Sequence, residues 1–510
     1  MKKIVFIITA FFALQTQAQQ WMEKYVSPVT GQYVQMVEGK NKEVFIGYRE
    51  YQGGKITVKK FENGSWSNVG DTAFSFGNSS FFKLAVGADS MPVVGYIDVS
   101  KNWNITVMKF NKTKWDTLGK RGFTDLGYGE FGMVTNGNKI FVASQVYDRI
   151  KVWTYESGTN TWALVGSNGI ASSGFPGGVE MQSFGTKVYV AYRNSASFDK
   201  KTYVRGTDVS DAGPSSFWNN VGNGFDGQTM SNLGIKLGRV KGKLFVTGYN
   251  LTTGEHFTFV NNNVQWNHLL PSLDGEKYKI PHFVKSVSID RNENDSLPYI
   301  AFITKNDSGR IYRLNNNYEC DSMGFASTVF HDKKITENPG VLSTVNGDVY
   351  VMFQDASNSK LMVKELCQKP TIIKNGAALE TNNAASYQWY KDGNEIGTGG
   401  TGKSYTPTSS GVYTVKTTKT IGSQSCVQTS AGYNFILSNN SDMLSNIGNM
   451  VKIYPNPVNQ MLNIELSTAE SISIYTLTGK LIGTSASNRN HQMDVSSLQS
   501  GVYLLKTQST

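Results

Sequence analysis

A strand of one type, apolar and aromatic and ending in a polar turn, recurs seven times in the first 360 residues of this chain. Its copies read VFIGYRE from Val44, PVVGYID from Pro92, IFVASQV from Ile140, VYVAYRN from Val188, LFVTGYN from Leu244, PYIAFIT from Pro298 and VYVMFQD from Val349. Their fifth residues are Tyr48, Tyr96, Ser144, Tyr192, Gly248, Phe302 and Phe353, so the spacings by subtraction are 48, 48, 48, 56, 54 and 51. A period of that size, built only of strands, requires stacked or radially arranged sheet units. It constrains architecture far more than activity.

Each repeat reads as four short strands with alternating apolar and polar residues, enriched in β-branched and aromatic types. Asn136-Gly137 and Asn346-Gly347 supply the positive φ that tight hairpins need. Trp66, Trp115, Trp162, Trp218 and Trp266 share the fourth-strand position, where an indole fills the gap between neighbouring sheets. Regular tryptophans of this kind are core packing before they are ligand platforms. The last repeat has a third strand, KLMVKEL from Lys360, but no tryptophan strand after it. The segment QWMEKYVSP from Gln20 resembles SWSNVGDTA from Ser65, which predicts that residues 21–26 supply the missing strand and close a ring. Closure removes an open sheet edge. The expected fold is all-β, with a seven-bladed β-propeller over residues 20–366; a solenoid would need capping repeats, and none is evident.

The first eighteen residues combine Met1-Lys2-Lys3, an apolar run from Ile4 to Leu14 and Thr16-Gln17-Ala18, the pattern of a secretory signal peptide. No later stretch has the length of a membrane-spanning helix. An exported chain is therefore expected. The net charge of +10 comes from scattered lysines without a block of like charge, so nucleic acid is not an expected partner. Of three cysteines, at least one cannot pair within the chain, and five dispersed histidines form no metal-ligand spacing. No metal or other cofactor is expected.

From about residue 367 to 437 the pattern changes. SYQWYKDGNEI from Ser386, SYTPTSSGVYTVKTT from Ser404 and a strand after Cys426 resemble an immunoglobulin-like sandwich, with Trp389 as core indole and Tyr413 as corner tyrosine. Val415 stands where antibody domains carry their second core cysteine. In such sandwiches the first and last strands run side by side, so the resemblance implies that Cys367 and Cys426 could meet as a disulfide; the alternative is three unpaired thiols. Beyond a polar linker at 438–450, VKIYPNPVNQMLNIEL from Val451, ISIYTLTGKLIG from Ile472 and MDVSSLQSGVYLLKT from Met493 resemble the type A C-terminal sorting domain of the type IX secretion system of Bacteroidota. Tyr454, Pro455, Asn456, Pro457, Gly479, Lys480, Gly501 and Tyr503 carry the likeness over residues 451–510. It implies a β-sandwich tail recognised by the secretion machinery, and release from the cell or attachment to its surface. The chain stops at Thr510, one strand short of the family's usual pattern. Tripeptides such as Asp71-Thr72-Ala73 and Asp89-Ser90-Met91 resemble the O-glycosylation sequon of the same phylum.

Catalytic signatures are sparse. Gly397 to Ser404 satisfies the Walker A pattern, but the flanking residues read as strand and offer no helix N-terminus for phosphates. Residues 290–295 open like a calcium loop but lack its glycine and closing glutamate. There is no Gly-x-Ser-x-Gly, no His-Glu-x-x-His and no Ser-x-Asp-x-Gly-x-x-Trp box. A ring of sheets presents ligands on loops at one end of its axis. The connections from second to third strand carry Arg49, Asp98, Asp148, Arg193, Asn194 and Asp355. Those from fourth to first strand, expected on the same face, carry Phe74, Phe76, Phe123, Tyr128, Phe175, Phe225, and Tyr278 with His282. Rings beside Arg and Asp suit sugars or peptides, while the plainer alternative has Arg and Asp merely satisfying turns. The leading expectation is a non-enzymatic secreted or surface protein that binds glycan or protein. The runner-up is an extracellular glycan-cleaving hydrolase or lyase, which needs two convergent carboxylates. A structural surface-layer component or adhesin is third.

Overall fold

The structure, a computed structural model, describes residues 21–436 and 451–508 apart from short stretches, of which 195–200, 227–234, 250–255, 269–283, 290–298, 315–319 and 322–328 are the longest. The expected signal peptide, the linker at 438–450 and the calcium-like loop lie outside the described residues. Among those residues the chain is all-β, with a single short 3-10 turn at Val99–Lys101.

The first meander contains β1 (Trp21–Glu38), β2 (Val44–Glu50), β3 (Ile56–Glu62) and β4 (Ser65–Asn68). Five further antiparallel meanders follow, opening with the strands Ser79–Val86, Phe131–Asn136, Pro176–Phe184, Lys236–Val240 and Val284–Ile289. The last comprises Gly340–Ser343, Val349–Gln354 and Lys360–Leu366, and β1 completes it. Trp21 pairs with Leu366 and Val26 with Met362, whereas Gly31 to Glu38 pair with β2. One strand therefore serves the first and last sheets, and the N-terminal strand expected to close the ring does so. The opening strands of successive sheets contact one another in order and return to β1, so they form the inner wall of a ring.

Tryptophans tie the sheets together. Each indole N–H donates to a carbonyl in the preceding sheet: Trp66 to Lys24, Trp115 to Val69, Trp162 to Leu118, Trp218 to Val165 and Trp266 to Val221, at 2.7 to 3.2 Å. Phe74 stacks on Trp115 at 3.9 Å and Phe123 on Trp162 at 4.2 Å, so these connection aromatics belong to the same inter-sheet packing. Trp115→Phe keeps most of the apolar volume but leaves the Val69 carbonyl without its donor. We expect a loss of about 1 to 2 kcal/mol in stability, measurable by denaturant titration; an unchanged midpoint would remove the indole bond from the account.

Residues 372–435 form two further sheets. One holds Ile372–Asn375, Ala378–Thr381 and Ser404–Tyr405; the other centres on Ser386–Lys391 and Gly411–Ile421. Leu379, Trp389, Tyr413, Val415 and Phe435 are buried between them. Val415 pairs directly with Trp389, and the Tyr413 hydroxyl donates to the Ser409 carbonyl at 2.7 Å. In the Walker-like segment the carbonyls of Gly400 and Gly402 accept from the Trp389 backbone and indole, a structural use.

This unit is fixed to the ring. Cys367 and Cys426 are joined as a disulfide with Cα atoms 6.2 Å apart, and Met22 packs against both. Lys419 reaches Asp348 at 2.5 Å and Glu365 at 3.1 Å, while Lys24 holds the other oxygen of Glu365 at 2.7 Å. Burial alone would lower the Lys419 pKa; the two carboxylates outweigh it and hold it above the usual lysine value. The tail has strands Val451–Tyr454, Met461–Thr476, Leu481–Asp494 and Tyr503–Gln508 around Ile464, Leu466 and Ile472. Gly479, at φ +83°, makes the turn before Lys480, and Tyr503 donates to the Gln499 carbonyl.

Candidate functional site

The two kinds of connection meet on one side of the ring. At the junction of the first two sheets, the Arg49 guanidinium leaves the end of β2 and donates to Ser79 O, Gln32 Oε1 and Asn78 Oδ1, two of these groups lying on the incoming connection and strand. Gly54, at φ +63°, lets this happen: a Cβ there would stand 2.0 Å from Asn78 Oδ1 and 2.8 Å from Arg49 Nη2. One sheet on, Arg121 reaches back to Asp98 at 2.8 Å and lies over the exposed Phe76 ring at 4.0 Å. Asp98 also accepts from Ser100 N, Ser100 Oγ and Thr106 Oγ1, and it is fully buried. Its oxygens are consumed by the turn.

The other residues singled out from sequence divide in the same manner. Asp355 accepts from the Ser357 backbone and hydroxyl; burial pushes its carboxyl up, but those donors outweigh it and hold the pKa below the ordinary range. Asp148 is exposed, 3.7 Å from Arg149. Arg193 is half-buried, which lowers its pKa, and Asn194 is buried. Phe123 gives its face to Trp162 rather than to solvent. Tyr128, Phe175, Tyr278 and His282 lie outside the described residues. Of the sequon-like tripeptides, Thr72 is exposed and Ser90 is buried.

Three further rings stand out. Tyr51, Trp103 and Tyr147 are 63, 52 and 64% exposed, one on each second-to-third connection of the first three sheets. Trp103 has φ +64° and Tyr147 φ +55°, the latter inside the two-residue turn between Val146 and Arg149. That is backbone where glycine or asparagine is normal, and a bulky residue there costs on the order of 1 to 3 kcal/mol. Tyr33 adds a third such case, at φ +52° and 40% exposed. The only advance signal was an aromatic residue in a turn.

A second cluster lies on the inner wall. Lys83 and Glu180 pair at 2.9 Å across 97 residues, from the second sheet to the fourth, a reach that skips a sheet and so crosses the inside of the ring. Lys236, on the fifth sheet, stands 3.8 Å from Glu180. Burial alone would pull the Lys83 ammonium down; Glu180 and Glu130 outweigh it and keep its pKa raised. Glu130, just before Phe131–Asn136, has its pKa raised by burial, against the pull of Lys236 and Lys83. The Glu180 carboxylate adds to the upward shift. Among the described residues no group of three or more His, Cys, Asp or Glu could hold a metal ion, and no helix is long and apolar enough to cross a membrane.

Residues 452–510 match the family described as the secretion system C-terminal sorting domain. This indicates type IX secretion to the cell surface or exterior. No curated protein matches the chain. Among solved structures it is similar to a lectin of Aleuria aurantia in complex with Fucα1-6GlcNAc, with TM-score 0.38, 13% identity, and 57% of this chain and 94% of that one covered. It is also similar to the SapL1 lectin in complex with α-methyl fucoside, with TM-score 0.39, 14% identity, and 59% and 97% covered. An ulvan lyase described as a new family of polysaccharide lyase gives TM-score 0.42, 8% identity, and 67% and 95% covered.

Proposed function

We propose that this chain is an exported glycan-binding protein of Bacteroidota. In this reading a seven-bladed β-propeller of residues 20–366 presents the binding face, an immunoglobulin-like sandwich of 367–437 is fixed beside it, and 451–510 is the sorting tail. The observation that carries the reading is the set of exposed rings at Tyr51, Trp103 and Tyr147, two of them on strained backbone; Arg49 and Arg121 add guanidiniums at the same end of the ring. Exposed aromatic faces take the C–H faces of sugars, and guanidinium N–H groups take their hydroxyls. Strain that persists at a solvent-facing ring motivates a functional reading of that ring.

The full chain, incubated with a panel of bacterial, plant and animal polysaccharides, should be retained without release of reducing ends. Tyr147→Asn separates fold from function. Asparagine tolerates φ +55°, so stability should rise by up to about 1 kcal/mol while retention falls several-fold. Retention unchanged in this variant and in Trp103→Ala would sink the aromatic face. The second reading, a hydrolase or lyase, is favoured by the Glu130 and Glu180 carboxylates on the inner wall, one of them shifted towards its acid form. New reducing or unsaturated ends, lost in Glu130→Gln, would put that reading first.

A further inference from the structure

We propose that the junction of the first two sheets is a subsite for an acidic sugar, where Arg49 takes a uronate carboxylate and the Tyr33 ring lies under the same residue. This rests on the glycan-binding reading and names its ligand class. A guanidinium has five N–H donors. Arg49 spends one from each nitrogen, on Ser79 O, Gln32 Oε1 and Asn78 Oδ1. One N–H therefore remains on each terminal nitrogen, donors of the kind that a planar carboxylate accepts from.

All three acceptors are neutral, and among the described residues no carboxylate lies within 4 Å of Arg49. Arg121 is the contrast within the same face: its charge is cancelled by the buried Asp98. Arg49 is thus held rigidly, half-buried, with its charge unspent. A turn that needed only neutral bonds would not require a cation.

The surroundings extend the argument. A bulge between Gln32 and Gln35 brings Tyr33 out of β1, and its ring lies 5.9 Å from the guanidinium. Phe81, on the neighbouring sheet, follows edge to face at 6.2 Å from Tyr33, and the Lys83 ammonium stands 5.4 Å over Phe81. Arg49, Tyr33, Phe81 and Lys83 therefore run as cation, ring, ring and cation from the loop face to the inner wall, the last cation being already paired with Glu180. That run suits an anionic saccharide whose carboxylate sits on Arg49 and whose ring face lies on Tyr33.

The test uses the full chain and three probes: polygalacturonate, the same polymer with its carboxyls reduced to alcohols, and a neutral glucan. Retention of polygalacturonate at least roughly tenfold stronger than of its reduced form is expected, the worth of a charge-assisted bond. Arg49→Lys should lose most of that difference, because the charge stays but the fork is gone. Because the comparison of the two polymers needs no variant, a poorly folded mutant does not obscure it. Equal retention of both polymers, or of the neutral glucan, overturns the acidic subsite and leaves glycan binding standing. Retention of none of the three, nor of any glycan in the wider panel, overturns both.

Discussion

Replacing Cys367 and Cys426 together by serine is expected to cost the second unit about 4 kcal/mol, because the bridge closes a loop with a sequence separation of 59 residues. The effect arises mainly in the unfolded chain, which regains the freedom that the cross-link removed. It should also be felt in the ring. Cys367 follows Leu366, whose partner across the sheet is Trp21, the first residue of the closing strand. Met22 is buried against the two cysteines, and Lys24 and Lys419 grip Glu365 from either side. Without the bridge, closure rests on the strand pairing, this ion network and the bond from Glu23 N to Gln424 Oε1. Hydrogen exchange is the suitable measurement, since a chain of several units need not unfold in one step. Exchange should quicken strongly in Gly411–Ile421 and more weakly in the first residues of Trp21–Glu38. Unchanged exchange in both segments, with thiol labelling proving the bond absent, would mean that packing alone fixes the two units.

The ring was legible in sequence for a physical reason. A half-buried strand must alternate, each repeat repeats that alternation, and the orphan third strand at Lys360–Leu366 exposes the need for a partner. The tryptophans were legible as packing because one residue type returned at one position. The site was far less so. Period-two patterning says which side of its own sheet a residue faces, but not what stands opposite. Asp98 and Arg49 look alike in sequence, each a charged residue at the end of a copy of the same strand. Only the structure distinguishes an acid with all its oxygens engaged from a guanidinium with donors left. Phe123 looked available because its connection is long, yet the ring stacks on Trp162. Lys83 and Glu180 read as ordinary charges in strands, and no local signal announces a partner 97 residues away on a non-adjacent sheet.

That pair gives the other large effect. Glu180→Gln should destabilise the chain by about 3 to 5 kcal/mol, the cost of leaving a buried charge without its partner. Lys83 has side-chain exposure of only 10%, and its amide-bearing neighbour would retain a hydrogen-bond acceptor but no charge. Replacing both partners at once, Lys83→Met with Glu180→Leu, removes one charge of each sign and should return most of the loss. A strongly positive coupling in the double-mutant cycle is therefore the expected result, read by denaturant titration at fixed pH. Singles that each cost under about 1 kcal/mol would show that water reaches the cluster. The pH dependence follows from the shifts. Glu130 is raised in the folded chain, so its stabilising contribution is full below the ordinary glutamate value and is lost as pH rises through the folded one. Glu130→Gln should accordingly stabilise the chain at neutral pH and flatten that fall. Lys83 is also raised, so its contribution persists through neutrality and is lost only as pH climbs past its folded value in the alkaline range. If Glu130→Gln instead destabilises at neutral pH, then the attraction of Lys83 and Lys236 outweighs burial and Glu130 serves them as a permanent counter-charge. A proton-donating role in glycan cleavage would then lose its basis.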